Sequence, residues 1–176
     1  MNQDFLLADT PNISSLSLNE ETGKIERAIA LAHQAHAHQV DKAGKPYIDH
    51  PLRVMAKMAT WQEKIVAVLH DAIEDSDLTL ADLHNAGFPQ EIVDAIAAIT
   101  KNEGEDYEIY LQRVIGNAIA LKVKIADMTD NMDMSRIPRP TDKDWQRLAK
   151  YQQILPQLIS HQATQAGNLH PEPVQE

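Results

Sequence analysis

The chain has 176 residues, 43% of them hydrophobic, and a formal net charge of −10. This length fits one domain with short tails, and the apolar share is sufficient for a packed core. The absence of cysteine excludes disulfides and thiolate metal sites, so any metal must be held by His, Asp, Glu or carbonyl oxygen. The acidic balance argues against a long nucleic acid as a partner.

The two chain ends have the composition of polar extensions rather than of targeting signals. Residues 1–17 lack a basic region followed by a long apolar core, so they do not predict a signal peptide. No run of about 18 apolar residues predicts a transmembrane helix. We therefore expect a cytoplasmic protein without a membrane partner, and a homo-oligomer stays open. The expected organisation is a flexible arm over 1–18, a helical domain over 19–161 and a disordered tail over 162–176.

The first helix is predicted by a capping signal and by helical periodicity. Ser17 and Glu20 have the spacing of a capping box, with Ser17 as the N-cap. Apolar residues then recur at three- and four-residue steps as far as Ala35. A loop containing Gly and Pro follows, and Pro51 suits the first turn of the next helix.

Further helical segments alternate with short loops through the rest of the chain. The most apolar of these helices is expected over 62–74. The other expected helices cover 79–85, "PQEIVDAIAAITK", "DYEIYLQRVIG" and 142–160. The chain therefore consists mainly of helices joined by short polar connections.

One segment fits two kinds of secondary structure. Apolar residues alternate along 119–125, which is a strand pattern. The helical alternative places Ile119, Val123 and Ala126 on one face. Because no second strand is evident for a lone strand to pair with, we predict a helix here. The predicted fold class is all-α, a single helical bundle.

The first cluster with chemical potential follows an apolar run, in "LHDAIEDSD" at residues 69–77. In a helix, residues three and four apart share a face, so Glu74 lies one turn beyond His70. Asp75 likewise lies one turn beyond Asp71. Carboxylates this close raise one another's pKa unless a cation lies among them. The cluster therefore predicts either a divalent metal site or the solvated, acidic end of a core helix.

A second cluster lies in "KIADMTDNMD". Asp127 and Asn131 are one helical turn apart, and Asp130 lies beside them. A carboxylate at the end of an apolar run can complete a metal site, and an Asn one turn later can bind a ligand. The alternative is a turn or N-cap role, which Asp and Asn favour.

A third cluster combines histidines and cations in "HQAHAHQVDKAGKPYIDHP". His50 differs from the other histidines of this segment because it lies at a fixed junction between a loop and a helix. Lys42, Lys45 and Arg53 lie near it in the sequence. Cations near a metal site suit a phosphate substrate, because phosphate contacts are usually charge-assisted. Solubility alone is the simpler explanation for any one of these cations.

Together, three segments resemble a known protein family. The stretches "AHQAHAHQVDKAGKPYIDHPLRV", "VAVLHDAIEDSDLT" and "KIADMTDNMD" are similar, in this order, to the motifs of HD-domain hydrolases of the RelA/SpoT type. These enzymes are (p)ppGpp 3′-pyrophosphohydrolases, and the family includes small single-domain alarmone hydrolases. The similarity covers most of the chain, and three motifs in the same order are much more specific than any one of them.

The resemblance implies an all-helical HD domain that holds one divalent ion, usually Mn²⁺. The metal ligands that it implies are His50, His70, Asp71 and Asp127. The residues that it implies for positioning or activating the attacking water are Glu74 and Asp75. The substrate contacts that it implies are Lys42, Lys45, Tyr47 and Asn131. The partner is accordingly a small nucleotide, and no nucleic acid or membrane.

Several positions depart from the family pattern. Asp41 stands where these hydrolases usually have an Arg that packs on the guanine base, and a carboxylate does not stack in that way. His38 replaces a common Gly. In the third motif, the usual basic, His and Arg residues are replaced by Met128, Asp130 and Asp133. The implied metal ligands are thus retained, whereas residues of the nucleotide-contacting shell differ.

Three functions are consistent with these observations. The first is Mn²⁺-dependent hydrolysis of (p)ppGpp to GDP or GTP and pyrophosphate by metal-activated water. The second keeps the fold and changes the substrate to another nucleotide, or to a phosphomonoester such as the 2′-phosphate of NADPH. The third is a nucleotide-binding regulatory module without catalysis, which the presence of both Glu74 and Asp75 disfavours.

Overall fold

The structure, a computed structural model, describes residues 13–168, with side chains for residues 18–167. Within residues 13–168 the chain forms eight α-helices and one 3-10 turn, at Met134–Arg136. The helices are α1 (Ile13–Ala35), α2 (Asp49–Ala56), α3 (Trp61–Leu69), α4 (Leu80–Asn85), α5 (Gln90–Ile99), α6 (Tyr107–Ile115), α7 (Ala118–Asn131) and α8 (Asp142–Asn168). This range contains no strand, so the predicted all-α class is confirmed, as is the helix over the ambiguous segment.

Helices α3 and α7 form the centre of the bundle. Helix α3 packs against α1, α2, α5 and α7, and α7 also packs against α2, α5, α6 and α8. Residues 65–69 of α3 are completely buried, and burying a Val, Leu or Ile side chain stabilises the fold by about 1.5–3 kcal/mol. The two central helices bring His70 and Asp127 to within 3.6 Å of each other. Among residues 13–168, no helix has both the length and the apolar composition that a membrane crossing requires.

Side-chain caps fix where the central helices begin. At α3, the Thr60 hydroxyl accepts from the Glu63 N–H, and the Glu63 carboxylate accepts from the Thr60 N–H, each at 3.2 Å. Glu63 also pairs with Lys122 of α7 at 2.7 Å. At α7, the Asn117 side chain accepts from the Ala120 N–H at 3.0 Å. These contacts set the first residues of both helices and join the helices to each other.

Helix α1 begins earlier than predicted. It starts at Ile13, so the prediction of Ser17 as its N-cap is wrong. The residues between Pro11 and Ser17 contain neither Gly nor Pro, so nothing in the local sequence interrupts the helix before the capping-box pattern. Residues 1–12 of the predicted arm lie outside the described residues.

Helix α3 ends earlier than predicted. It stops at Leu69, so the predicted helix over 62–74 is wrong at its C-terminal end. The His70 ring donates from Nδ1 to the carbonyl oxygen of Ala67 at 2.8 Å and competes for the acceptor that a continuing helix would use. The Ala72 N–H then bonds to the Leu69 carbonyl in a tighter, three-residue step. The acidic residues that follow therefore lie on a turn.

Helix α8 extends beyond its predicted end, as far as Asn168. Its last turns are tied to α6, because Gln165 Nε2 donates to the Ile115 carbonyl at 2.7 Å. The first part of the predicted tail over 162–176 is thus helical, and residues 169–176 lie outside the described part of the chain.

Candidate metal centre and its cavity

Three of the residues expected as ligands meet in the interior. One possible ligand atom from each of His50, His70 and Asp127 lies within 4.8 Å of the other two. His50 Nε2 is 3.1 Å and His70 Nε2 is 3.6 Å from the same oxygen, Asp127 Oδ1. One ion with ligand bonds of about 2.0–2.2 Å can bridge atoms at this spacing. All three side chains are buried.

Asp71, the fourth expected ligand, borders this group. His50, His70, Asp71 and Asp127 together form the candidate metal centre. Its Oδ2 is 3.1 Å from His70 Nε2 and 3.8 Å from His50 Nε2. The Tyr47 hydroxyl donates to the same oxygen at 2.5 Å. Burial and the Asp71 charge raise the pKa of Tyr47 far above its ordinary value, so this hydroxyl remains a donor. Tyr47 therefore orients Asp71 towards the two imidazoles.

The His70 ring has the orientation of a metal ligand. Its Nδ1 donates to the Ala67 carbonyl at 2.8 Å, because a carbonyl oxygen only accepts. Its Nε2 faces the carboxylates, is buried, and has no hydrogen-bond partner among the described residues. A buried polar atom without a partner is costly, and a bound cation removes that cost. The chemistry of this orphaned nitrogen fits a metal at the centre of the group.

His50 has a carboxylate behind its ring. Its Nδ1 is 2.8 Å from Asp130 Oδ2, while its Nε2 faces the centre. Asp130 is also 3.0 Å from guanidinium nitrogens of both Arg53 and Arg136, and 3.5 Å from the Lys57 ammonium. Burial would raise the pKa of Asp130, but the hydrogen bonds from Arg53 and His50 and the Arg136 charge lower it to about 2. Asp130 is therefore an ionised carboxylate at neutral pH.

Asp127 is held on both of its oxygens. The Lys124 ammonium lies 2.9 Å from Oδ2, and the Asn131 amide donates to Oδ1 at 2.6 Å. Burial would raise the pKa of Asp127, but Lys124 and the two histidine rings hold it well below its ordinary value. Asn131, expected as a substrate contact, thus also fixes a carboxylate of the centre.

The centre attracts positive charge. Burial would lower the pKa of His70, but Asp71 and Asp127 raise it well above its ordinary value. Burial would raise the pKa of Asp71, but the adjacent His70 lowers it to about 2. Either a proton on His70 or a divalent cation balances the charge of the two carboxylates. Because both would occupy His70 Nε2, the proton and the cation compete. Imidazole and carboxylate ligands suit Mn, Mg, Fe(II) or Zn.

Glu74 and Asp75 lie on the turn after α3 and face the same cavity as Asp71. Glu74 Oε1 accepts from the Lys101 N–H at 2.6 Å. The Asp75 backbone carbonyl accepts from Gln39 Nε2 at 2.8 Å, which fixes the backbone while the carboxylate remains exposed. Partial burial and the Asp71 charge raise the pKa of both acids. Both are thus weaker acids than ordinary surface carboxylates.

A cavity of about 490 Å³ lies over the centre. This volume is within the range of about 300–1,000 Å³ that small-molecule sites occupy. Besides the acids described above, its walls carry five cations, which are Lys42, Arg53, Lys124, Arg136 and Arg147. Carboxylates and cations therefore share one cavity, and this combination suits a cation together with a phosphorylated ligand.

The structure brings three of the four expected substrate contacts to the cavity. Lys42, Tyr47 and Asn131 line it, whereas Lys45 does not. The Lys42 ammonium pairs with the buried carboxylate of Asp144 near the start of α8, which joins the loop before α2 to the last helix.

Asp41 lines the cavity and also has a local structural role. Its Oδ1 accepts from the N–H groups of Ala43 at 2.8 Å and Lys45 at 2.9 Å. The hydrogen bond from Lys45 lowers the pKa of Asp41 despite some desolvation. The turn contains Gly44 at φ +78, a conformation that favours glycine. The carboxylate is therefore committed to closing this turn.

Several cavity residues were missed by the sequence analysis. Arg147 and Tyr151 are one turn apart on α8, so their spacing was the available signal that both face one side. Lys124 lies three residues before Asp127 on α7, and that spacing could have identified it as a partner of this carboxylate.

Known proteins resemble the chain over about two thirds of its length. No protein-family model matches it. It is 30% identical over 133 residues to a guanosine-3′,5′-bis(diphosphate) 3′-pyrophosphohydrolase of Vibrio cholerae, a match that covers 68% of this chain and 19% of that protein. A protein of the same description from Aquifex aeolicus is 30% identical over 119 residues, a match that covers 62% of this chain and 17% of that protein. The chain thus spans about a fifth of the length of these relatives.

Two further relatives have SpoT in their descriptions. The bifunctional (p)ppGpp synthase/hydrolase SpoT of Escherichia coli is 24% identical over 128 residues, or 64% of this chain and 18% of that protein. A solved structure of a metazoan SpoT ortholog that hydrolyses ppGpp matches 88% of both chains with a TM-score of 0.64 at 20% identity, which shows the shared fold. The sequence relationships confirm the resemblance of the three motifs, because over about two thirds of its length the chain is similar to (p)ppGpp pyrophosphohydrolases.

Proposed function

We propose that the chain is a divalent-metal-dependent phosphohydrolase that removes the 3′-pyrophosphate of (p)ppGpp and leaves GDP or GTP. The observation that carries this proposal is that His70 Nε2 has no hydrogen-bond partner among the described residues while it faces two carboxylates beside His50. The descriptions of the relatives support the substrate class.

For the metal, we propose His50, His70, Asp71 and Asp127 as ligands and Mn²⁺ as the ion. Two neutral imidazoles and two carboxylates carry a charge of about −2, which balances a divalent cation. When bound, such an ion supplies Lewis acidity towards a phosphoryl oxygen and makes water a stronger acid. The hydrogen bonds that His70 Nδ1 and His50 Nδ1 donate to Ala67 and Asp130 keep both Nε2 atoms directed at this position.

For the proton transfers, we assign the base to Glu74 and the acid to Asp75. Glu74 has one oxygen fixed by the Lys101 N–H, which leaves Oε2 to accept a proton from the attacking water. The Asp75 carboxylate has no hydrogen bond among the described residues, so it can turn to protonate the departing 3′ oxygen of the nucleoside. Raised pKa values bring both groups closer to neutrality, where proton transfer is most effective.

For the substrate, we propose that the cavity cations bind the phosphates. Arg147 lines the cavity from α8 and has no ion-pair partner among the described residues, so its guanidinium is available to an anion. Lys42 lines it from the loop before α2. Tyr47 and Asn131 contact Asp71 and Asp127 and present their remaining edges to the ribose. Lys45 does not line the cavity, so we do not include it in this proposed set.

The proposal is tested by adding Mn²⁺ and ppGpp to the metal-stripped protein. We expect equal amounts of GDP and pyrophosphate, and no product without the ion. Release of single phosphate groups, or no turnover at all, would contradict the (p)ppGpp assignment. Direct measurement of Mn²⁺ binding keeps the metal centre testable in either case.

A second substrate class is another nucleotide, or a phosphomonoester such as the 2′-phosphate of NADPH. Asp41 supports it, because a carboxylate committed to its own turn replaces the Arg that packs on guanine in similar enzymes. A substrate panel at equal concentration separates the two classes, and the second fails if ppGpp is hydrolysed far faster than every other compound. Turnover that Asp71→Ala abolishes would exclude a purely regulatory module.

A further inference from the structure

Asp130 and Asp127 reach opposite nitrogens of one imidazole. The two carboxylates lie three residues apart on α7, so they share a helix face. Asp127 Oδ1 is 3.1 Å from His50 Nε2, and Asp130 Oδ2 is 2.8 Å from His50 Nδ1. The Asp130 side chain is only 7% exposed, so its charge acts on its immediate neighbours rather than on solvent.

The neighbours of Asp130 keep its carboxylate charged and fixed. Arg53 donates to it from Nε at 3.2 Å and from Nη2 at 3.0 Å. Arg136 donates to Oδ2 at 3.0 Å, and the Lys57 ammonium is 3.5 Å from Oδ1. Because an ionised carboxylate only accepts hydrogen bonds, the proton between it and His50 belongs to Nδ1. Nε2 is then the ring nitrogen left to ligate an ion, and without an ion it lies within hydrogen-bond distance of Asp127 Oδ1, at 3.1 Å.

The two histidines of the centre are oriented by different acceptors. His70 donates to a neutral backbone carbonyl, that of Ala67, whereas His50 donates to an ionised carboxylate. A carboxylate behind a ligating imidazole fixes the tautomer and the orientation of the ring. The two rings therefore differ in the charge of the group that holds Nδ1, and only His50 has a carboxylate there.

We propose that Asp130 is a positioning residue of the metal centre proposed above, and that it acts by holding His50 as the Nδ1-protonated tautomer with Nε2 directed at the ion. Asp130 itself contacts neither the ion nor the reacting phosphate in this role. Arg53 and Arg136 serve it by fixing the carboxylate.

The test compares Asp130→Asn with a matched control, Asp133→Asn. The side-chain amide that Asp130→Asn introduces can donate to Nδ1, which would move the ring proton to Nε2 and block ligation. Asp133 also lines the cavity and pairs with Arg136, at 3.3 Å, but it is 49% exposed, and among the described residues no hydrogen bond or ion pair joins it to His50. By calorimetry on metal-stripped protein, we expect D130N to weaken Mn²⁺ binding by about 10–100-fold and D133N to stay within about threefold of the parent.

A second readout does not depend on the metal. In ¹⁵N NMR spectra of the metal-free parent protein, Nδ1 of His50 should carry a proton, and this proton should be lost from Nδ1 in D130N. A bare Nδ1 in the parent, or equal Mn²⁺ affinity in D130N and D133N, would overturn the inference. If D130N does not fold, the spectrum of the parent decides. If the parent protein binds no divalent ion, the proposed metal centre is wrong. The NMR measurement still shows whether Asp130 holds the proton on Nδ1 of His50.

Discussion

The metal centre and the acidic turn beside it are held in opposite ways. His50, His70 and Asp127 are buried, and each has a hydrogen bond that fixes its orientation. Glu74 and Asp75 are exposed, and only a Glu74 oxygen and the Asp75 backbone are held. The proposed ligands are thus part of the core, whereas the acids proposed for proton transfer are part of the cavity surface.

This contrast separates the expected consequences of substitution. A change in the centre should alter metal affinity, and where it removes a partner of a buried charge it should also alter stability. A change in the acidic turn should alter the rate while metal affinity and stability remain. Substitutions at the outer cavity wall should have the smallest effects, because their side chains are partly solvated in either state.

The largest effect is expected at Asp71, where the centre meets the acidic turn. We expect Asp71→Asn to reduce ppGpp turnover by about 10³-fold or more, because the several kcal/mol of stabilisation that a metal gives the transition state is lost with it. Mn²⁺ affinity should fall in parallel in calorimetry. Asp77→Asn is the matched control, because Asp77 is exposed in the same segment but lies outside this cavity. Full activity of D71N would place the centre elsewhere.

The next effect concerns stability, and two lysines of α7 provide the comparison. Lys124 is 14% exposed and pairs with buried Asp127, so we expect Lys124→Met to cost about 3 kcal/mol of unfolding free energy by leaving a buried charge unpaired. Lys122 is 35% exposed and pairs with Glu63, and Lys122→Met should cost about 1 kcal/mol or less. Urea unfolding of the metal-free proteins measures both.

Added Mn²⁺ sharpens that comparison. An ion bound at the centre supplies positive charge beside Asp127, so it should recover more stability in K124M than in K122M. Equal losses in the two variants, or equal recovery on adding Mn²⁺, would show that Lys124 and Asp127 do not form a buried pair in the free protein.

The sequence predicted the buried region more completely than the exposed one. His70 and Asp127 each end an apolar run, and His50 precedes a proline at a helix start, so local pattern alone placed them at the edge of a core. Their meeting depends on how α2, α3 and α7 pack, and only the family resemblance supplied that information in advance.

The remaining features depend on contacts that periodicity does not encode. The end of α3 is decided by the His70 ring bonding to the Ala67 carbonyl, and the hydrophobic pattern itself continues past Leu69. The pairing of Asp130 with His50 joins two segments that are 80 residues apart. Asp41 and Lys45 were interpreted by their charge, but the turn uses the carboxylate of the first and the backbone of the second.

A third prediction tests whether the exposed acids act on rate alone. Glu74→Gln should lower kcat by about 10²-fold, which is the lower end of the effect expected for loss of a general base, because Asp75 remains nearby. The Mn²⁺ affinity should stay unchanged. Since partial burial and the Asp71 charge raise the pKa of Glu74, this carboxylate becomes protonated at a higher pH than an ordinary surface carboxylate. In the parent, kcat should therefore fall as pH drops through this raised pKa. An acid limb that is identical in E74Q would assign the base to another group.

The smallest effect is expected at the outer wall, where Lys42 and Lys45 share one exposed turn. Lys42→Ala should raise KM for ppGpp by about fivefold, because a partly solvated ion contact contributes about 1 kcal/mol and Lys42 already pairs with Asp144. The variant should keep the start of α8, since Asp144 still accepts from the Thr141 N–H at 2.9 Å and hydroxyl at 2.7 Å. Lys45→Ala makes the same charge change outside the cavity and should leave KM almost unchanged. An equal rise in KM in both variants that disappears at high salt would contradict this prediction. It would mean that the two lysines act through the overall charge of the protein and that Lys42 makes no specific contact in the cavity.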